Sequence, residues 1–212
     1  MSKRFFLTRS RHDMANHYLY AYSNEVLDCA VTKGWRVEKA EDEDNNRRNV
    51  QSRLSKGHDL ITFNGHGNER SVFGHANEEL VGESEAGLLK DAVVFIRSCS
   101  SLAGLGRTAV AKGARAVVGY RGEFWFPRVH EYEARPLQDP SAKPVLDASN
   151  AIPLRLLHGA SVQEAVESSK SKSDEHILKM LSSSEPYDAA ALRALVNNAV
   201  LLGYEGQPNA RA

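Results

Sequence analysis

Through the first 120 residues, short apolar runs alternate with longer stretches in which apolar residues recur every three or four positions. Phe5-Phe6-Leu7 predicts a first strand. Ala15, Leu19, Tyr22, Val26, Leu27 and Ala30 keep helical spacing, so a helix is expected over 13–33, with Asp13 as its cap and Gly34 as its stop. Residues 35–38 begin a second strand. The polar stretch 41–56 carries Val50 and Leu54 at helical spacing. Residues 60–63 form a third strand that runs into Asn64-Gly65-His66-Gly67-Asn68. A short β excursion over 71–82 and a weak helix over 83–90 follow.

Ala92-Val93-Val94-Phe95-Ile96 reads as a fully buried strand, leading into Arg97-Ser98-Cys99-Ser100-Ser101. A small-residue helix is expected over about 102–112, and a fifth strand over 116–120. Strands alternating with helices predict an α/β fold with right-handed crossovers. The expected core is a mainly parallel sheet of about five to six strands with helices on both faces.

The pattern changes after Phe126. Prolines stand at 127, 136, 140, 144 and 153, so 127–153 is expected to be a long Pro-rich loop. Helices are expected over 162–170, 174–183 and 188–202, with Ser168–Ser173 as a solvated helix end and a frayed tail from Gly203. The whole chain is taken as a single domain: a sheet core over 1–126, the loop, and a helical part over 154–205.

Composition narrows the functional classes. The 212 residues hold 27 basic and 27 acidic side chains, so no global field points to nucleic acid or an anionic membrane. No apolar stretch approaches the ~20 residues of a membrane span. The three apolar residues after Arg4 are too few for a signal-peptide core. Two cysteines, Cys29 and Cys99, fit free thiols in a reducing compartment, and the expectation is a cytoplasmic protein without cofactor or metal.

In a parallel sheet, reactive groups gather where the strands end at their carboxyl side. His66 follows the third strand by three residues, and Cys99 follows the fourth by three. If those strands are neighbours, imidazole and thiol leave the sheet side by side, and a base beside a thiol favours the nucleophilic thiolate. A helix beginning near 102 would lower the Cys99 pKa further. The N–H groups of Gly67 and Cys99 suit the oxyanion of a tetrahedral intermediate. Each residue has a plainer reading: buried cysteines are more often small packed hydrophobes, and a histidine in a Gly-rich turn is more often a polar loop residue. The matched positions shift the balance toward chemistry.

Other chemistries fail on spacing. Neither Ser98 nor Ser100 has the flanking glycines of a serine-hydrolase elbow. Gly104 and Gly106 make half a dinucleotide fingerprint. His66 and His75 lack metal-site spacing.

A strand ending in Asn64-Gly65-His66-Gly67, and a later one ending in Cys99 before a small-residue stretch, resemble the caspase-like cysteine peptidases. The run from Val93 to Tyr120, with Ala111-Lys112-Gly113-Ala114-Arg115-Ala116, is most similar to the bacterial CHAT and gingipain branch, and Ala199–Tyr204 is similar to the final segment of such domains. The resemblance implies a caspase-like (flavodoxin-like) sheet with C-terminal helices. It also implies a His66–Cys99 dyad, Gly67 as an oxyanion donor, no metal or organic cofactor, and protein or peptide substrates. One partner is expected to be a substrate or regulatory protein encoded nearby. The 33 residues from His66 to Cys99 are fewer than the roughly 50 of caspases.

Arg97 shares a strand face with Cys99, because side chains alternate with period two. It is therefore expected to point toward the same crevice as Cys99; the resemblance implies that this position lines the pocket for the residue before the scissile bond, where an arginine would select an acidic side chain. Glu123, beyond the fifth strand, is the competing selector: it either pairs with Arg97 or, if it dominates the pocket, favours basic substrates. Phe124-Trp125-Phe126 is read as core. The alternatives to an endopeptidase are a catalytically inactive interaction module and a thiol amidase on the same fold.

Overall fold

The computed structural model describes residues 2–183 and 188–212. Its centre is a six-stranded sheet, in the order β2-β1-β3-β6-β7-β8. The strands are β1 (Arg4–Arg9), β2 (Arg36–Glu41), β3 (Leu60–Asn64), β6 (Val93–Arg97), β7 (Ala116–Tyr120) and β8 (Leu202–Gly206). The first five run parallel, and β8 pairs antiparallel with β7. Every residue of β3, β6 and β7 is buried, as continuous apolar strands covered on both faces must be. A separate two-stranded ribbon, β4 (Ser71–Phe73) with β5 (Glu79–Gly82), stands beyond the end of β3.

Helix α1 (Met14–Thr32) starts where Asp13 accepts the N–H of Asn16 at 2.8 Å, the side-chain cap that satisfies a free helix-end donor. Its Tyr18, Leu19, Tyr22, Val26 and Ala30 pack with Phe5, Leu7, Val93 and Phe95 on one face of the sheet. Helices α4 (Ala142–Leu157) and α5 (Val162–Ser182) complete that layer. On the other face, Val50 and Leu54 of α2 (Arg47–Leu54) and Leu105 and Ala109 of α3 (Leu105–Ala111) meet Phe6, Ile61, Val94 and Ile96. Helix α6 (Ala189–Leu201) packs through Ala194 and Leu195 against Val145 and Ala148 of α4.

Three expectations for the second half change. The Pro-rich stretch is only partly a loop, because α4 begins at Ala142. Pro144 lies in its first turn, where no backbone donor is needed. Pro153 sits inside the helix, and burial of Leu146, Ile152 and Leu156 offsets the one missing hydrogen bond. The helices expected over 162–170 and 174–183 are one continuous α5. Its Ser169 and Ser173 are buried rather than solvated; Ser169 Oγ donates to the Ala148 carbonyl at 2.8 Å and holds α5 against α4. The tail is ordered too: β8 closes the sheet edge, and Ala210 and Ala212 are buried in the main core.

Candidate active site

Strands β3 and β6 are neighbours with Asn64 opposite Arg97. His66 and Cys99 each follow that pair by two residues, so they leave the sheet at the same level. Between them the chain bends at Gly65, whose φ of 151° is one that few other residues adopt; its N–H donates to the Arg97 carbonyl at 3.3 Å.

Gly67 is fixed from both sides. Asn68 donates to Ser71, and Phe73 donates to the carbonyl of His66, both at 3.0 Å. Gly67 and Val72 are therefore a non-hydrogen-bonded antiparallel pair, and the N–H of Gly67 points away from Val72. No side chain fits here: a Cβ on Gly67 would stand 2.4 Å from Ser98 Oγ.

Cys99 lies in a cleft of about 540 Å³, walled also by Gly67, Asn68, Glu69, Arg70, Ser100 and Glu123. Ser100 takes a left-handed conformation (φ 54°) and donates its N–H to the Gly122 carbonyl at 2.7 Å, tying this loop to the loop after β7. The Cys99 Sγ lies 3.6 Å from the Phe124 carbonyl oxygen. Burial pushes the thiol above its ordinary range, and the charge of Glu123 adds to this; the backbone at Phe124 and at Cys99 itself opposes the shift without overcoming it. The expected lowering by a helix end fails because α3 starts at Leu105, after a run of turns. The dipole acts only over the first turn.

The structure thus gathers Cys99, Gly67 and Glu123 around one cleft. The ring of His66 is turned to Asp13, its Nε2 lying 2.8 Å from Asp13 Oδ2. That carboxyl is held below its ordinary range: burial pushes it up, but the hydrogen bonds from Asn16 and His66 win. Sequence reasoning took Asp13 as a helix cap only. The usable signal was its place just after β1, since β1 lies beside β3 and their exits adjoin.

Arg97 corrects the sequence reading. It is fully buried, and its Nη2 donates to Asn150 Oδ1 of α4 at 2.6 Å, so it neither lines the cleft nor pairs with Glu123. The period-two argument gave the right face, but α4 covers that face at this level. Phe124 and Phe126 join the main core as expected. Among the described residues, no group of three or more His, Cys, Asp or Glu side chains is arranged to hold a metal ion, and no helix is long and apolar enough to cross a membrane.

No protein-family model and no curated protein matches the sequence. Solved structures do match. The Arg-specific cysteine proteinase gingipain R is similar over 99% of this chain and 47% of its own, with a TM-score of 0.62 and 11% identity. The complex of pro- and mature domains of the Porphyromonas gingivalis enzyme RgpB aligns at a TM-score of 0.61 and 12% identity, covering 99% and 48%. A structure of pro-sf-caspase-1 aligns at 0.52 and 9%, covering 97% and 91%. The chain spans about half the length of the gingipain chains it matches. Its six strands, helical layers and C-terminal helices have the caspase-like fold that these cysteine peptidases share.

Proposed function

We propose that this chain is a cysteine endopeptidase in which His66 serves Cys99 as general base. The observation that supports this reading is the register of β3 against β6, by which residues 66 and 99 both follow the paired Asn64 and Arg97 by two positions; Gly67 and Cys99 line one cleft. Asp13, ionised, is an acceptor only. The Nε2 of His66 therefore carries a proton toward it, leaving Nδ1 with the lone pair a base needs.

His66 removes the thiol proton as Cys99 sulfur attacks the scissile carbonyl carbon. The resulting oxyanion takes the N–H groups of Gly67 and Cys99. Collapse breaks the C–N bond, His66 returns its proton to the leaving amine, and a thioester remains. Water, activated by the same imidazole, then releases the carboxylic acid and restores the thiol.

With Arg97 buried, an acidic preference loses its carrier. Glu123 lies in the cleft with Cys99, and a carboxylate there favours a basic residue before the scissile bond. Substrates are proteins or peptides.

Labelling of Cys99 by a basic peptidyl electrophile, abolished by Cys99→Ala and by His66→Ala, is the expected result. No labelling by any peptidyl electrophile would sink the proposal. One feature favours an inactive interaction module instead: burial pushes the Cys99 thiol above its ordinary range, opposite to the lowering that marks reactive cysteines. Hydrolysis of small amides without protein cleavage would point to an amidase.

A further inference from the structure

Residues of α1, α4 and α5 line a second cleft, of about 660 Å³, which shares no residue with the one at Cys99. That volume suits a small molecule. Ala21, Ala151, Leu154 and the exposed Leu137 give it an apolar lining. Three carboxylates line it too: Glu25 and Asp28 of α1, and Asp147 of α4. Two lysines also line it, but both are engaged. Lys143 pairs with Asp147 at 2.8 Å, and Lys172 is drawn at 3.1 Å to Glu175, which does not line the cleft.

Glu25 and Asp28 are left with no ion-pair partner among the described residues. Glu25 Oε2 accepts an uncharged amide, Asn150 Nδ2, at 3.0 Å. The two carboxylates are three residues apart on one face of α1, about 4.5 Å of helical rise, where like charges oppose each other. Tyr22 adds an independent observation. It lines the same cleft and is only 3% exposed, and its hydroxyl is buried with no hydrogen-bond partner among the described residues. A buried polar group in that condition is costly. Burial chiefly, then the charges of Asp147, Asp139 and Glu25, push its pKa up. The phenol therefore stays neutral beside the carboxylates of the cleft, and its oxygen can accept a hydrogen bond.

We propose that this cleft binds a small organic cation, an ammonium or guanidinium carried on an aliphatic stem. The charged head meets Glu25 and Asp28 and donates to the Tyr22 oxygen. The stem lies against Ala151 and Leu154, so the ligand satisfies the apolar and the charged parts of the lining together.

Diaminohexane, added to the full chain, is the probe. Amide signals of α1 and α4 should shift with it and saturate, and the melting temperature should rise with its concentration. Hexanediol, with the same stem and no charge, should bind roughly tenfold more weakly. Asp28→Asn and Glu25→Gln should each weaken the diamine about threefold, with less effect at ~1 M salt. Tyr22→Phe should weaken it about fivefold, yet should not lower the melting temperature of the free protein, because the lost hydroxyl has no partner there. Asp28 is exposed, so its variant keeps the test open even where another fails to fold.

The proposal is overturned if the diamine gives no saturable shift, if hexanediol binds as well, or if Asp28→Asn and Tyr22→Phe leave its affinity unaltered. Binding of an oligolysine peptide but not of the diamine would likewise reject a small ligand. None of these measurements uses peptidase activity, so their outcome is separate from the chemistry of Cys99.

Discussion

Arg97 donates its Nη2 to Asn150 Oδ1 at 2.6 Å, with neither side chain reaching solvent. Among the described residues this is the hydrogen bond drawn from that buried guanidinium, whose Nε and Nη1 have no partner. Burial accordingly holds Arg97 down to about 10. Asn150 also reaches α1, donating to the Tyr22 carbonyl at 2.9 Å and to Glu25 Oε2 at 3.0 Å. A single amide thus joins β6, α4 and α1. Asn150→Ala should cost about 3 kcal/mol, because it strands a buried charge. Arg97→Met should cost less, because the charge leaves with its partner's role. Urea unfolding of the two variants gives the order directly, and equal costs would contradict this account.

Gly67→Ala should abolish peptidase activity and cost about 1–3 kcal/mol as overpacking, since the new Cβ would meet Ser98 Oγ at 2.4 Å and Ser98 Cβ at 2.8 Å. Adding Ser98→Gly removes the two nearest obstacles, after which the Ser71 carbonyl at 3.0 Å comes next. Much of the lost stability should return in the double variant. Thermal melts of the single and double variants provide the comparison.

Asp13 has two jobs that one substitution separates. Asp13→Ser keeps a good N-cap for α1 and so should change stability by less than about 0.5 kcal/mol, yet it removes the partner of His66. Turnover should fall roughly tenfold or more, as when a group that orients a reactive histidine is lost. Asp13→Ala should lose about 1 kcal/mol in addition.

Alkylation of Cys99 by iodoacetamide should be slow at neutral pH and rise steadily with pH, as a thiol held above its ordinary range requires. Glu123→Gln removes one of the causes and should speed the neutral-pH reaction roughly twofold. A fast, pH-independent reaction would show that the thiol is ionised in the free protein.

His58 contributes to the acid dependence of stability, alongside carboxyls such as Glu38 and Glu41 that are also held low. Its side chain is out of solvent against the Phe6 ring, and burial pulls it from 6.5 to about 4. Between those values the unfolded chain binds the proton that the folded chain refuses, so stability rises with pH across the window and is lost as pH falls through it. The full effect is roughly 3 kcal/mol. In His58→Leu the slope of unfolding free energy between pH 4 and 6.5 should flatten.

The sheet was legible because buried parallel strands must be apolar throughout, and the strand exits marked His66, Gly67 and Cys99. What escaped was whatever depends on covering elements. Period two gave the face of Arg97 but not the helix that seals it. Proline punctuation hid α4, whose buried residues outweigh one lost hydrogen bond. The contact of Asp13 with His66 needs the order β1-β3, which local pattern does not contain. Ser161 and Glu164 form a capping box whose spacing is visible in the sequence and marks the start of α5. Nothing so local announces that the segment after α6 returns to the sheet.

That return has a consequence in time. Strand β8 reaches its partner β7 only after α4, α5 and α6 have been made. Until then a growing chain carries β7 with an unpaired edge beside the strand that leads to Cys99. Nascent chains halted before Leu202 should be open to proteolysis and unable to label Cys99, and the same chains carried past Gly206 should become resistant. Cys99 is translated long before the sheet beneath it is complete, so a partly synthesised chain holds the thiol without its scaffold.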